Sequence, residues 1–73
     1  MTPVLAMPPE ALLPMREVSR QAGLSARSIY RLIEEGKFPQ AKHPYGNRTS
    51  RWLESDVQAW IQAQLELDRR KSA

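Results

Sequence analysis

Seventy-three residues without a cysteine allow one small domain with a modest core, stapled by neither disulfides nor thiolate metal sites. Such a chain has no room for a catalytic domain with a deep pocket, and no apolar run approaches the roughly 20 residues that span a bilayer. Eleven Lys and Arg against eight Asp and Glu give a net charge of +3, and where those charges fall says more than their sum.

Residues 1–13 read as a proline-rich, apolar N-terminal tail. Pro3, Pro8, Pro9 and Pro14 prevent a regular helix across it, and without a basic lead it makes a poor signal peptide. Val4, Leu5, Leu12 and Leu13 are more apolar than a solvated linker needs. They are candidates for contact with a partner protein; the plainer alternative is an arm packed loosely on the domain.

The domain itself is expected over residues 14–67. Proline suits a helix start, so the first helix begins at Pro14, with Met15, Val18 and Ala22 on one stripe and Gly23 at its end. Ser25 is a natural N-cap for a second helix, whose buried stripe is Ile29, Leu32 and Ile33 and which Gly36 closes. Two short helices joined by a glycine turn are the layout of a helix-turn-helix, whose second helix enters the major groove of DNA.

Lys37 to Trp52 changes character. Phe38-Pro39 favours an extended backbone, Tyr45-Gly46-Asn47 supplies turn residues, and Arg51-Trp52-Leu53 returns. The segment reads as a short two-stranded β-hairpin, with Pro39 and Pro44 keeping one strand irregular. A last helix follows from Glu54 or Ser55 to about Leu67, with Val57, Trp60, Ile61 and Leu65 on its buried side. Glu54 and Asp56 complement its dipole at the start, and Arg69, Arg70 and Lys71 near the far end. Residues 68–73 are expected to form a frayed polar tail. The fold class is mainly α with a small β-hairpin wing, a winged helix-turn-helix.

Arg27 and Ser28 fall in the opening turns of the second helix, where recognition helices touch base edges. Arg27 can reach guanine O6 and N7 with parallel hydrogen bonds, and Arg31 is a second candidate base reader. Ser25 and Tyr30 are assigned to phosphates. Each of these residues could instead belong to an ordinary solvated helix face, and the ring of Tyr30 could cover the core edge. Between Gly36 and Leu53 the chain carries Lys37, Lys42, Arg48 and Arg51 and no acid, the electrostatic footprint of phosphate binding. Together with His43 and Asn47 these residues make the candidate wing contacts, which fix register without reading sequence. Arg48, beside Gly46-Asn47, is the best placed to enter a narrow minor groove. The plain alternative is a charged edge that resists aggregation.

Enzyme chemistry finds no footing. Ser25, Ser28 and Ser50 lack the base and orienter of a nucleophilic triad. Glu34 and Glu35 are adjacent on a helix and do not face each other. His43 is a lone histidine with no ligand partners, so neither a metal nor another cofactor is expected. Trp52 and Trp60 read as core.

Leu24-Ser25, the run Ser28 to Ile33, Gly36-Lys37-Phe38-Pro39, Arg51-Trp52, the run Glu54 to Val57, and Trp60-Ile61 together closely resemble the AlpA family. These are small prophage-associated regulators with a winged-helix domain similar to that of MerR regulators and phage excisionases. The resemblance covers about residues 13–66. It implies a recognition role for Arg27, Ser28, Tyr30 and Arg31 and a wing role for Lys42 to Arg51. The polar hairpin, Gln40 to Ser50, is longer than the family pattern, and the apolar tail lies outside it.

The expected function is sequence-specific DNA binding for transcription regulation, as an activator of prophage or host genes that contacts RNA polymerase at a promoter, with modified elongation as a variant. The alternative is an excisionase, a recombination directionality factor that binds and bends attachment-site DNA. A pure protein-interaction module is a third reading. The expected partners are double-stranded DNA, RNA polymerase and further copies of the chain on DNA, with no membrane or small-molecule ligand. The expected place is the bacterial cytoplasm, at the nucleoid.

Overall fold

The computed structural model describes residues 11–72. Within them the elements run β1 (Leu12–Leu13), α1 (Met15–Ala22), α2 (Ala26–Glu34), β2 (Trp52–Leu53) and α3 (Glu54–Ser72). The architecture is a mainly helical winged helix-turn-helix.

Short-range signals set the first two helices. The Pro14 carbonyl accepts from the N–H groups of Glu17 and Val18 at 3.0 and 3.1 Å, so proline caps α1 from just outside it. Gly23 takes φ 72°, which an L side chain strains to adopt. There its N–H donates to the Ser19 carbonyl at 2.8 Å. The Ser19 hydroxyl closes the turn by donating to the Leu24 carbonyl. Ser25 caps α2 as its sequence position implies, its hydroxyl accepting from Ser28 N–H at 3.1 Å. Gly36, at φ 74°, reverses the chain after α2. Gly36 N–H donates to the Ile33 carbonyl at 3.0 Å and Lys37 N–H to Leu32 at 2.8 Å, which satisfies two terminal carbonyls.

The core draws one side chain from nearly every segment: Leu13, Val18, Ile29, Phe38, Trp52 and Val57. Val18, Ile29, Trp52 and Val57 are fully buried. At about 1.5–3 kcal/mol for each such aliphatic or aromatic side chain, this handful supplies most of what holds a domain of this size. Met15, Leu24, Leu32, Ile33, Trp60 and Ile61 pack around it. A polar seam ties α1 to α3. Gln21 donates to Glu17 at 3.1 Å and to Glu54 at 3.2 Å, and accepts from Gln58 at 2.8 Å.

Three elements differ from the sequence reading: β1, the wing and α3, whose Leu65, expected on the buried side, is 53% exposed. Leu12 and Leu13 are not a loose arm: they pair antiparallel with Leu53 and Trp52, and Leu13 is only 7% exposed. A strand of two residues is too short to show an alternating pattern, so it passes as tail. Leu13 is therefore core rather than a surface for a partner, and Leu12 is half-buried in the sheet. Val4 and Leu5, assigned with them to partner contact, lie outside the described residues. At the other end α3 does not fray at Asp68 but continues to Ser72. Glu66 pairs with Arg69 at 3.4 Å and with Arg70 at 4.0 Å, and three basic residues sit in the last turn, where they complement the dipole.

Candidate nucleic-acid interface

The helix that buries Ile29, Leu32 and Ile33 must turn its other side to water, and this places Arg27 and Arg31 one turn apart on the exposed face of α2. Neither forms an ion pair among the described residues. Ser28 is half-buried, and its hydroxyl accepts from the Ser25 hydroxyl at 3.1 Å. The two serines are thus engaged with each other and with the cap. Tyr30 is 49% exposed, while its ring meets buried Trp52 edge-on at 6.4 Å between centroids. It covers the core edge and still presents half its surface to solvent.

The connection from α2 to the wing is held from a distance. The Trp60 indole donates to the Lys37 carbonyl at 2.6 Å, and the Trp52 indole donates to the Pro39 carbonyl at 3.1 Å. Phe38, buried between those carbonyls in sequence, packs its ring 4.7 Å from that of Trp60. The wing then closes through a single antiparallel bridge. Lys42 N–H donates to Arg51 at 2.7 Å, and Arg51 N–H donates to Lys42 at 2.9 Å. The expected hairpin is therefore present as one bridged pair, and the described two-stranded sheet is instead β1 with β2. Prolines at positions 39 and 44 withhold the N–H groups that a longer ladder would use.

Residues 43–48 are all exposed, which presents His43, Asn47 and Arg48 at the tip of the wing. Gly46, at φ 111°, forms the bend, with Gly46 N–H donating to His43 at 3.3 Å and Thr49 N–H donating to Gly46 at 3.1 Å. Lys42 is exposed at the base, and neither it nor Arg48 has an ion-pair partner among the described residues. Lys37 differs, because its ammonium lies 3.6 Å from Glu35. Lys37 and Lys42 also share an open groove of about 580 Å³ with Asp56 and Trp60 of α3. Arg51 is half-buried, donates to the Ser50 carbonyl at 2.9 Å and lies 5.9 Å over the ring of Tyr45.

Arg27 and Arg31 on α2 and Lys42 and Arg48 on the wing are thus cations without an ion pair among the described residues, whereas Glu17, Glu35 and Glu66 each pair with a cation. Arg20 donates to Glu17 from both its Nε, at 3.0 Å, and its Nη2. Those bonds, with one from Gln21, hold the Glu17 carboxyl down at about 2. Sequence reasoning missed two features. The turn pattern accounts for Tyr45 only as a turn residue, although an aromatic at a turn flanked by cations is itself a signal. The indole hydrogen bonds of Trp52 and Trp60 left no trace in residue spacing.

A family model described as Prophage CP4-57 regulatory protein (AlpA) matches residues 11–65. The chain belongs to the AlpA family. Its match begins at Ala11, so β1 lies inside the AlpA domain, in keeping with the burial of Leu13. An uncharacterized protein, ORF88, of Enterobacteria phage P4 is 36% identical over 67 residues, which span 88% of this chain and 75% of that relative. No solved structure matches the chain. The AlpA description is that of a prophage regulatory protein. Among the described residues no helix is long and apolar enough to cross a membrane.

Proposed function

We propose that this AlpA-family protein is a sequence-specific DNA-binding transcription regulator. The observation that carries the reading is the pair Arg27 and Arg31, exposed one turn apart on α2 with no ion pair among the described residues, beside a wing without an acid. Arg27 reads a base edge in the major groove, Arg31 reads a second or grips the flanking phosphate, and Ser28, half-buried and accepting from the Ser25 hydroxyl, donates its own proton to a base edge at the side. Lys42, His43, Asn47, Arg48 and Arg51 hold the backbone along the wing. Tyr30, Ser25 and Lys37 sit at the margins: Tyr30 shares its ring with the core, Ser25 is spent on the cap, and Lys37 is offset by Glu35.

A domain this small makes few base contacts, so useful specificity requires more than one copy on DNA or help from a partner. The last turns of α3 expose Leu65 and Leu67 by 53% and 50%, and we assign to them contact between neighbouring copies. RNA polymerase is the proposed second partner, touched through the apolar N-terminal segment that holds Val4 and Leu5. The protein then acts as an activator in the bacterial cytoplasm, bound to the nucleoid, by recruiting polymerase or modifying its elongation.

Genome-wide occupancy of the tagged protein, with polymerase mapped in parallel, tests this. Promoter peaks with downstream polymerase signal that depends on the protein support the activator. The exposed leucines of α3 also favour a second reading, an excisionase that binds tandem sites and bends them. Peaks confined to the ends of an integrated element would establish that reading instead. Occupancy without sequence preference would overturn both.

A further inference from the structure

We infer that Tyr45 and Arg51 act as one stacked unit that grips the sugar–phosphate backbone of duplex DNA, the ring against a deoxyribose and the guanidinium on the neighbouring phosphate. The inference rests on the DNA-binding reading above and adds to it a residue and a mode of contact.

Tyr45 is 67% exposed, more than Leu65, Leu67 or Tyr30, the other exposed large apolar residues described. An exposed tyrosine beside a guanidinium offers a flat apolar ring and a polar hydroxyl next to a positive charge. Its position is built rather than incidental. The bend at Gly46 and the bond from Gly46 N–H to His43 fix the turn that carries it. Arg51 is anchored at its backbone to Lys42 through both bridge hydrogen bonds and at its side chain to the Ser50 carbonyl. That leaves its guanidinium over the Tyr45 ring at 5.9 Å. Only Nη1 is engaged in a described hydrogen bond, so the remaining N–H groups are available to an anion.

The chemistry suits a backbone. At 5.9 Å the guanidinium lies at the outer range of a cation–π contact with the ring, which favours this rotamer in advance and lowers the ordering cost of binding. The phenol can donate to a phosphate, as tyrosine does at many protein–DNA contacts. A single strand fits less well, because such strands are bound in grooves that track several nucleotides, whereas this pair stands on one projecting turn.

The test uses the full chain, a short labelled duplex of mixed sequence and the matching single strand, with affinity read by fluorescence anisotropy over a salt series. Y45A is expected to weaken duplex binding about five-fold, and Y45F to recover most of that loss because the ring remains. R51A should weaken binding and lower the salt slope by about one phosphate contact. Because the two side chains act together, the Y45A/R51A double variant should bind no more than about two-fold worse than R51A alone. Tyr45 is exposed and Arg51 half-buried on the wing, and unchanged thermal melting confirms that the variants fold. Wild-type affinity for Y45A, losses that multiply in the double variant, or an effect on the single strand alone would each overturn the unit. Failure of the unaltered protein to bind duplex would overturn the DNA-binding reading and the unit together; any of the three other failures leaves that reading standing.

Discussion

The two halves of the interface are built by different means. The helix-turn-helix is assembled by neighbours: a proline, two glycines and a serine set the ends of α1 and α2, and each bonds within a few residues of itself. The wing is assembled by strangers. Its approach is pinned by indoles 23 and 13 positions away in sequence, and its arms meet at one bridge between Lys42 and Arg51. Local signals set where α1 and α2 begin and end, although helices of eight and nine residues persist only when packed on the core, whereas the grip takes even its path from remote contacts.

The sharpest way to break that contrast is Trp52→Ala. Trp52 is fully buried and holds Pro39 by its indole, so its loss should cost about 3–5 kcal/mol and take the wing with it. Chemical denaturation measures that loss directly, and a marginal domain can unfold outright. On DNA, Arg27→Ala and Arg48→Ala should separate reader from grip. The first is expected to relax sequence preference by about 1–3 kcal/mol at one base pair, and the second to weaken all duplexes alike and lower the salt slope by about one. Binding-site selection and salt titration together check the pair.

Ser25→Ala and Trp60→Phe compare the two kinds of support at matched size. Removing the α2 cap should cost about 1 kcal/mol, and removing the indole donor from the Lys37 carbonyl about as much. Thermal melting should therefore fall by roughly 4–8 °C for either. Only Trp60→Phe should also weaken binding to duplexes of any sequence, because it loosens the wing and not the cap. The smallest expected effect is acidic. Glu17 is held at about 2, against an ordinary 4.5, by Arg20 and Gln21, so its stabilising influence is present above about pH 4.5 and fades as pH falls toward 2. Glu17→Gln should flatten that part of the acid unfolding curve; an unchanged acid limb would mean that the pair with Arg20 does not act in solution.

What was legible in the sequence follows the same division. Pro14, Gly23, Ser25 and Gly36 each announce a helix end by local chemistry, and the structure has α1 and α2 there. Arg27 and Arg31 were legible as surface because the buried stripe of α2 leaves them no other side. The two-residue strand β1 was not legible, since its only pattern is a partner forty positions away: Leu13 faces Trp52, and Leu12 faces Leu53. The end of α3 was misplaced for a related reason. Its apolar stripe stops at Leu65, while the helix goes on through the pairs of Glu66 with Arg69 and Arg70. Within the candidate site, the mutual bond of Ser25 and Ser28 and the stack of Arg51 on Tyr45 depend on rotamers, which spacing does not carry.

The two indoles that clasp the Lys37 and Pro39 carbonyls have a consequence for geometry. They make the link between α2 and the wing a bracket of fixed span rather than a hinge. On a duplex bound in the way proposed above, such a molecule would work as a caliper: with one jaw in the major groove, the other would meet the neighbouring backbone at a set distance. DNA whose groove width or curvature matches that distance binds without distortion, and stiffer or differently shaped DNA must deform to fit. Discrimination of this kind acts at base pairs a protein does not touch, and on the proposed reading it would give a chain with few base-reading side chains a second source of selectivity.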